Sequence, residues 1–197
     1  MKRIPTLVFL ISSTLGLIAQ EPGSFGVKFS GFVKADYFYD TRQTVAAREG
    51  HFLLWPSPES LDPAGKDINA RPGLNMLAIQ SQLKASITGP DAFGAKTSAV
   101  IEADFFATTN ETIDLLRMRH AFARLRWEKL EVLAGQYWNP FFVTDCFPGT
   151  VSFNTGAPLQ SFARNPQLRL TYYQNGLRFI LAGLAQRDYA TFGPLGA

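Results

Sequence analysis

From Val27 onward the chain is written in runs where apolar and polar residues alternate one for one, and the connections between runs are by turns long and short. One-for-one alternation places successive side chains on opposite faces of a strand, which a helix cannot do. Seven such runs are predicted as strands. In Val27–Asp40, Val27, Phe29, Gly31, Val33, Ala35, Tyr37 and Tyr39 share one face, with Lys28, Ser30, Phe32, Lys34, Asp36, Phe38 and Asp40 on the other. In Asn75–Thr88, Leu77, Ile79, Leu83, Ala85 and Ile87 oppose Gln80, Gln82, Lys84 and Ser86. In Ala95–Thr108, Ala95, Ala99, Ile101, Ala103 and Phe105 oppose Lys96, Ser98, Glu102 and Asp104. Leu115–Trp127 sets Ala121, Ala123, Leu125 and Trp127 against His120, Phe122, Arg124 and Arg126. Leu130–Trp138 is apolar on both sides and its faces stay unassigned. In Gln167–Gln174 and Leu177–Gln186, Leu168, Leu170, Tyr172, Leu177, Phe179 and Leu181 oppose Arg169, Thr171 and Arg178.

Most of these runs reach the roughly 9–11 residues that a membrane-spanning strand needs, where globular strands commonly stop at about 5–6. The connections run Thr41–Gly73 (long), Gly89–Gly94 (tight), Thr109–Asp114 (polar), Glu128-Lys129 (tight), Asn139–Pro166 (very long) and Asn175-Gly176, a strong hairpin signal. Tight turns at one end and longer loops at the other are the habit of outer-membrane barrels. The expected fold is therefore all-β, a transmembrane antiparallel up-and-down barrel. With its odd strand number and no aromatic-ended closing strand, it is expected to be an incomplete barrel of about seven strands, left open at its first and last strands.

The N-terminus agrees with export. Lys2 and Arg3 precede an apolar run from Leu7 to Ala19, and Ala19 before Gln20 suits cleavage, so residues 1–19 read as a signal peptide and 20–197 as the N-terminal part of a barrel domain. Without Lys2 and Arg3 the chain holds 17 basic and 16 acidic residues, which removes the basic balance and, with no concentrated basic patch, argues against a nucleic-acid partner. No later run approaches the roughly 18 apolar residues of a spanning helix. Cys146 stands alone, so neither an internal disulfide nor a thiolate metal cluster is available. There is no phosphate-binding glycine loop, nucleophile elbow, paired metal-ligand motif or catalytic triad, so no enzyme activity, metal or cofactor is expected.

The stretches LRMRHAFARL (Leu116–Leu125) and LAGQYWNPFF (Leu133–Phe142), flanked by GFVKADYFYDTRQ (Gly31–Gln43) and SFARNPQLRLTYY (Ser161–Tyr173), give the chain a likeness. In that order and spacing they resemble the DcaP-like porins, most of all a Bacteroidetes-type branch, and more loosely the phosphate-selective porins. The resemblance covers Phe25 to Pro194. It implies a trimer of barrels with about 16 strands each, sitting in outer-membrane lipid, whose third outward loop folds into the lumen.

If the polar faces line the lumen, Lys28, Lys34, Lys84, Lys96, Arg124, Arg126, Arg169 and Arg178 outnumber Asp36, Asp40, Glu102 and Asp104, which leans the path toward small anionic solutes. Cross-strand pairing of these same charges is the competing reading. His120 shares the lumen parity and is read as structural or as a modulator of the local field. Arg117 and Arg119 fall on the opposite parity. They lie at the outer rim, face a neighbouring subunit, or mark a break in register. Asp145, Gln160 and Arg164 are assigned to a constriction, on the ground that a loop far longer than its peers is usually functional. The function expected is passive diffusion of carboxylate-type solutes. The alternatives are a structural or adhesive barrel without an open pore and a soluble periplasmic barrel binding an apolar ligand.

Overall fold

The structure, a computed structural model, describes residues 25–106, 109–146 and 162–187. The strands are β1 (Gly26–Phe32), β2 (Asp36–Asp40), β3 (Thr44–Ala47), β4 (Phe52–Pro56), β5 (Gly73–Leu77), β6 (Gln82–Ala92), β7 (Ala95–Asp104), β8 (Arg117–Arg126), β9 (Leu130–Trp138), β10 (Arg164–Gln174) and β11 (Leu177–Leu184). Seven of them form one sheet in the order β1-β6-β7-β8-β9-β10-β11, with every pairing antiparallel. Spatial order follows chain order, so the sheet is an up-and-down meander with β1 and β11 at its edges. Residues 1–19, read above as a signal peptide, lie outside the described residues.

The first two predicted strands are each broken. β2 pairs with β5 as a separate ladder above β1 and β6, and the register slips by one residue between the two ladders. The break lies where Val33–Ala35 face the Ala78–Ser81 turn. There the Ser81 hydroxyl accepts the Lys34 N–H at 3.0 Å and donates to the Ala78 carbonyl at 2.9 Å. The slip moves Leu77 opposite Asp36, on the polar side, although unbroken alternation places it with Leu83. Tyr37 and Tyr39 instead share their exposed face with Met76 and Leu74. The long first connection also has structure of its own, the β3–β4 hairpin.

The three tight connections lie together at one end of the sheet. β6 runs through to Ala92, so that turn is Phe93-Gly94 and not Gly89–Gly94; both residues are left-handed, with φ of 54° and 71°, as a two-residue hairpin of this hand requires. Asn175-Gly176 repeats the geometry at φ 50° and 79°. Trp127 bridges this end, its indole N–H donating to the Phe93 carbonyl at 3.0 Å. The long connections gather at the other end. Within the sheet, Gly135 has φ +131°, and a Cβ there would meet the Ala121 carbonyl oxygen at 2.2 Å. Its emptiness admits Phe122 and Tyr137, whose rings lie edge to face at 4.9 Å.

The distribution of burial is inverted relative to a water-soluble sheet. Along β10, Gln167 (6%), Arg169 (9%) and Thr171 (3%) are covered, while Leu168 (61%), Leu170 (40%) and Tyr172 (39%) are exposed. Phe29, Leu83, Ile101, Met118, Phe179 and Leu181 extend the same exposed apolar face across the sheet. Covering one such side chain is worth about 1.5–3 kcal/mol, so a whole face left to water is a large standing cost. Among the described residues no helix is long and apolar enough to cross a membrane.

Candidate functional site: the charged face of the sheet

The polar side chains converge in two clusters, stacked along the strands. Nearer the long connections, Asp104 is wholly buried and Glu102 partly so. Arg119 donates to Glu102 at 2.8 Å and to Asp104 at 2.5 Å, and Arg117 reaches Asp104 at 3.3 Å. Strict alternation cannot put Arg117, Arg119 and His120 on one side. A β-bulge does: Glu102 pairs with His120 and Ala103 with Met118, so Arg119 is the extra residue and the parity of Arg117 inverts. The opposite, lipid-facing parity read from the sequence for these two arginines is thereby corrected, and of the three alternatives the register break is the one observed. His120 sits among Phe122, Tyr137 and Trp138, 4.0 Å from Glu102. Lys84 stands opposite Glu102 and Ser30 in the adjoining pairs.

The second cluster, toward the tight turns, is organised by Glu131. Its Oε2 lies 3.6 Å from Arg124, 3.4 Å from Arg126 and 3.4 Å from the Tyr173 hydroxyl. The Arg126 guanidinium also stacks over the Tyr173 ring at 3.7 Å. Lys96 stands opposite Arg126 in register, and the like charges part: Lys96 turns to Asp91 at 2.6 Å, in the open. Arg169 is buried, donating to Gln167 at 2.9 Å and to the Trp138 carbonyl at 2.6 Å, with the Tyr137 ring 5.1 Å away. Glu131 was missed because the faces of its strand were unassigned. The signal was present: a two-residue turn at Glu128-Lys129 forces Arg126 opposite Glu131, the register observed.

The predicted constriction is resolved in part. The connection after β9 folds back over the polar face, and Asp145 bonds Arg178 of β11. Between loop and sheet lies a cleft of about 210 Å³, lined by Arg124, Glu131, Tyr137, Asp145, Arg169 and Arg178 among others. Arg164 is not a loop residue. It opens β10, three residues earlier than the strand read from the sequence, and lies buried over the Trp138 ring at 5.0 Å. Gln160 lies outside the described residues. Lys34 is not part of the main ladder; at the break it pairs with Asp36.

A second loop also reaches this face. The tip of the β3–β4 hairpin rests on Phe106: His51 meets its ring edge-on at 5.2 Å and the Arg48 guanidinium lies over it at 4.9 Å. Burial holds the His51 pKa below the ordinary histidine value, against the field of Asp36 and with that of Lys34. Deeper in the same connection, the backbone N–H of Ser60 chiefly holds the Asp67 carboxyl below its usual range, with Asn69 and Arg42 acting alike. No group of three or more potential metal ligands occurs among the described residues.

Fold and charged face together define an antiparallel, up-and-down sheet of the β-barrel class. Against solved structures, the chain is similar to the crystal structure of the outer membrane channel DcaP of Acinetobacter baumannii, with a TM-score of 0.54 and 22% sequence identity. The match covers 81% of this chain and 41% of that one, so the chain spans less than half the length of its structural neighbour. No family model matches the chain, and no curated protein matches it.

Proposed function

We propose that this chain forms part of an outer-membrane channel through which small hydrophilic solutes diffuse passively, with a modest preference for anions of the carboxylate type. The observation that carries the reading is the inverted burial of β10, where arginine and glutamine are covered and leucine and tyrosine are bare. Lipid is the solvent that makes such a face favourable, and a closed barrel is the sheet that lipid admits. The neighbour's fold supports a channel, and the porin likeness of the sequence extends the proposal to a homotrimer exported by an N-terminal signal peptide, acting as a pore and not an enzyme.

The preference is modest because the arginines are partnered. Glu102 and Asp104 neutralise much of the outer cluster, and Glu131 divides itself between Arg124 and Arg126. Lys84, Lys96, Arg124, Arg126, Arg169 and Arg178 still give the wet face a positive excess, and guanidinium groups suit carboxylates through paired hydrogen bonds. The full-length protein in a planar bilayer should show stepwise conductance, and a reversal potential across a salt gradient displaced toward the anion. Purified, correctly folded protein that gives no steps contradicts the channel and favours an adhesive or structural barrel.

A further inference from the structure

The tip of the β3–β4 hairpin is held in a conformation that it does not favour by itself. Arg48, Glu49 and Gly50 have φ of 52°, 54° and 93°, three consecutive left-handed residues of which two carry side chains. What fixes them lies on another loop. The Arg48 N–H donates to the Asn110 side-chain oxygen at 2.7 Å, and its guanidinium covers Phe106. The His51 ring stands edge-on to Phe106 at an interplanar angle of 86°. Phe106 has no exposed surface, and its N–H donates to the Asp104 carboxylate at 3.2 Å, tying the contact to the buried ion-pair cluster. Gly50 lies over Phe38, on the polar side of β2. The first outward loop is thus folded across the outer end of the charged face.

His51 is the sensitive point of this arrangement. It is 6% exposed, and its Nε2 is buried with no hydrogen-bond partner. The charged groups about it are Lys34 and Asp36 below, already paired with each other, Arg48 and Glu49 on its own turn, and, beyond the Phe106 ring, Arg117 of β8, 6.0 Å from that ring and paired with the buried Asp104. A second proton on the ring puts a charge into a buried site whose nearest carboxylate, Asp36, is already paired with Lys34, and the buried Nε2 has no partner there. We propose that the Arg48–His51 turn is an acid-released clasp, closed over the outer mouth while His51 is neutral and freed when the ring is protonated. Burial shifts that protonation to more acid pH than an ordinary histidine, about 6.5, so the clasp is shut at neutral pH. Its effect on conductance rests on the channel reading; the release of the hairpin does not.

The test uses the full-length protein in detergent micelles and in planar bilayers. Hydrogen exchange of the β3–β4 hairpin amides, corrected for intrinsic rate, is followed from about pH 7.5 to about pH 4.5. The wild type should lose protection severalfold on acidification. His51→Phe, which keeps an edge-on ring without a titratable nitrogen, should keep it. Phe106→Leu should lose protection already at neutral pH, which reads the clasp even if the histidine variant does not fold. In bilayers, acid on the loop side alone should raise gating frequency severalfold in the wild type and not in His51→Phe. Acid loss of protection that persists in His51→Phe assigns the response to His120, the other histidine, or to carboxylates, and overturns the proposal. So does hairpin protection in the wild type that does not change with pH. Conductance absent at every pH, with the exchange result intact, sinks the channel reading and leaves the clasp standing.

Discussion

Glu131 is the residue on which the lower charge cluster turns. One carboxylate accepts from Arg126 and Tyr173 and lies 3.6 Å from the Arg124 guanidinium, so its removal leaves two guanidinium groups, Arg124 at the cleft and Arg126 beside it, with one anionic neighbour fewer. Glu131→Gln is therefore expected to raise the anion-to-cation permeability ratio, and Arg124→Gln with Arg126→Gln to lower it, both read from reversal potentials. The difference should fade between about 0.1 M and about 1 M salt, as the screening length falls from about 10 Å to about 3 Å. A ratio unmoved at low salt in either folded variant means that this cluster does not border the solute path. Gly135 has a different role. Any side chain there needs a left-handed backbone and collides with the Ala121 carbonyl, so Gly135→Ala should cost about 2 kcal/mol or more in urea refolding into micelles. Wild-type stability in that variant means that β8 and β9 adjust with ease.

At the scale of elements, the sequence displayed the strands better than their interruptions. Alternation set the correct face for nearly every residue of β1, β6, β7, β10 and β11, because one side chain in two must meet each solvent. The bulge at Arg119 and the break between β1 and β2 were hidden, since one extra residue in a ladder leaves no mark in composition. The landing places of the loops were hidden for another reason. They depend on contacts such as Asp145 with Arg178 and His51 with Phe106, across more than thirty residues of chain. Asp145→Asn removes the charge that ties the third loop to β11. A larger single-channel conductance with noisier open states is expected, since both partners are half-exposed and the pair is worth at most about 1 kcal/mol. Unchanged conductance implies that the loop is held elsewhere. In the first connection, Asp67 contributes order that is complete above the ordinary carboxylate pKa and is lost as pH falls through its lowered native value. Limited proteolysis of that loop should accelerate at acid pH in the wild type, and Asp67→Asn should be cleaved readily at neutral pH.

For the whole molecule, the decisive property is that the sheet is turned inside out with respect to water. Its apolar face is bare and its charged face is covered, partly by two of its own loops, and its edge strands β1 and β11 each have one neighbour among the described residues. On the proposed reading these edges meet lipid, where unpaired backbone groups are costly. The two faces make opposite demands on their surroundings, and these can be read residue by residue. The direct measurement is a single-cysteine scan of β10 in the full-length protein, in liposomes, with Cys146 replaced by serine. Spin labels at positions 168, 170 and 172 should be relaxed by oxygen dissolved in the bilayer, and labels at 169, 171 and 173 by a water-soluble nickel chelate, with a period of two. Equal access of the aqueous reagent to both sets, or the opposite phase, would contradict the placement of the apolar face in lipid and the charged face along a water-filled path.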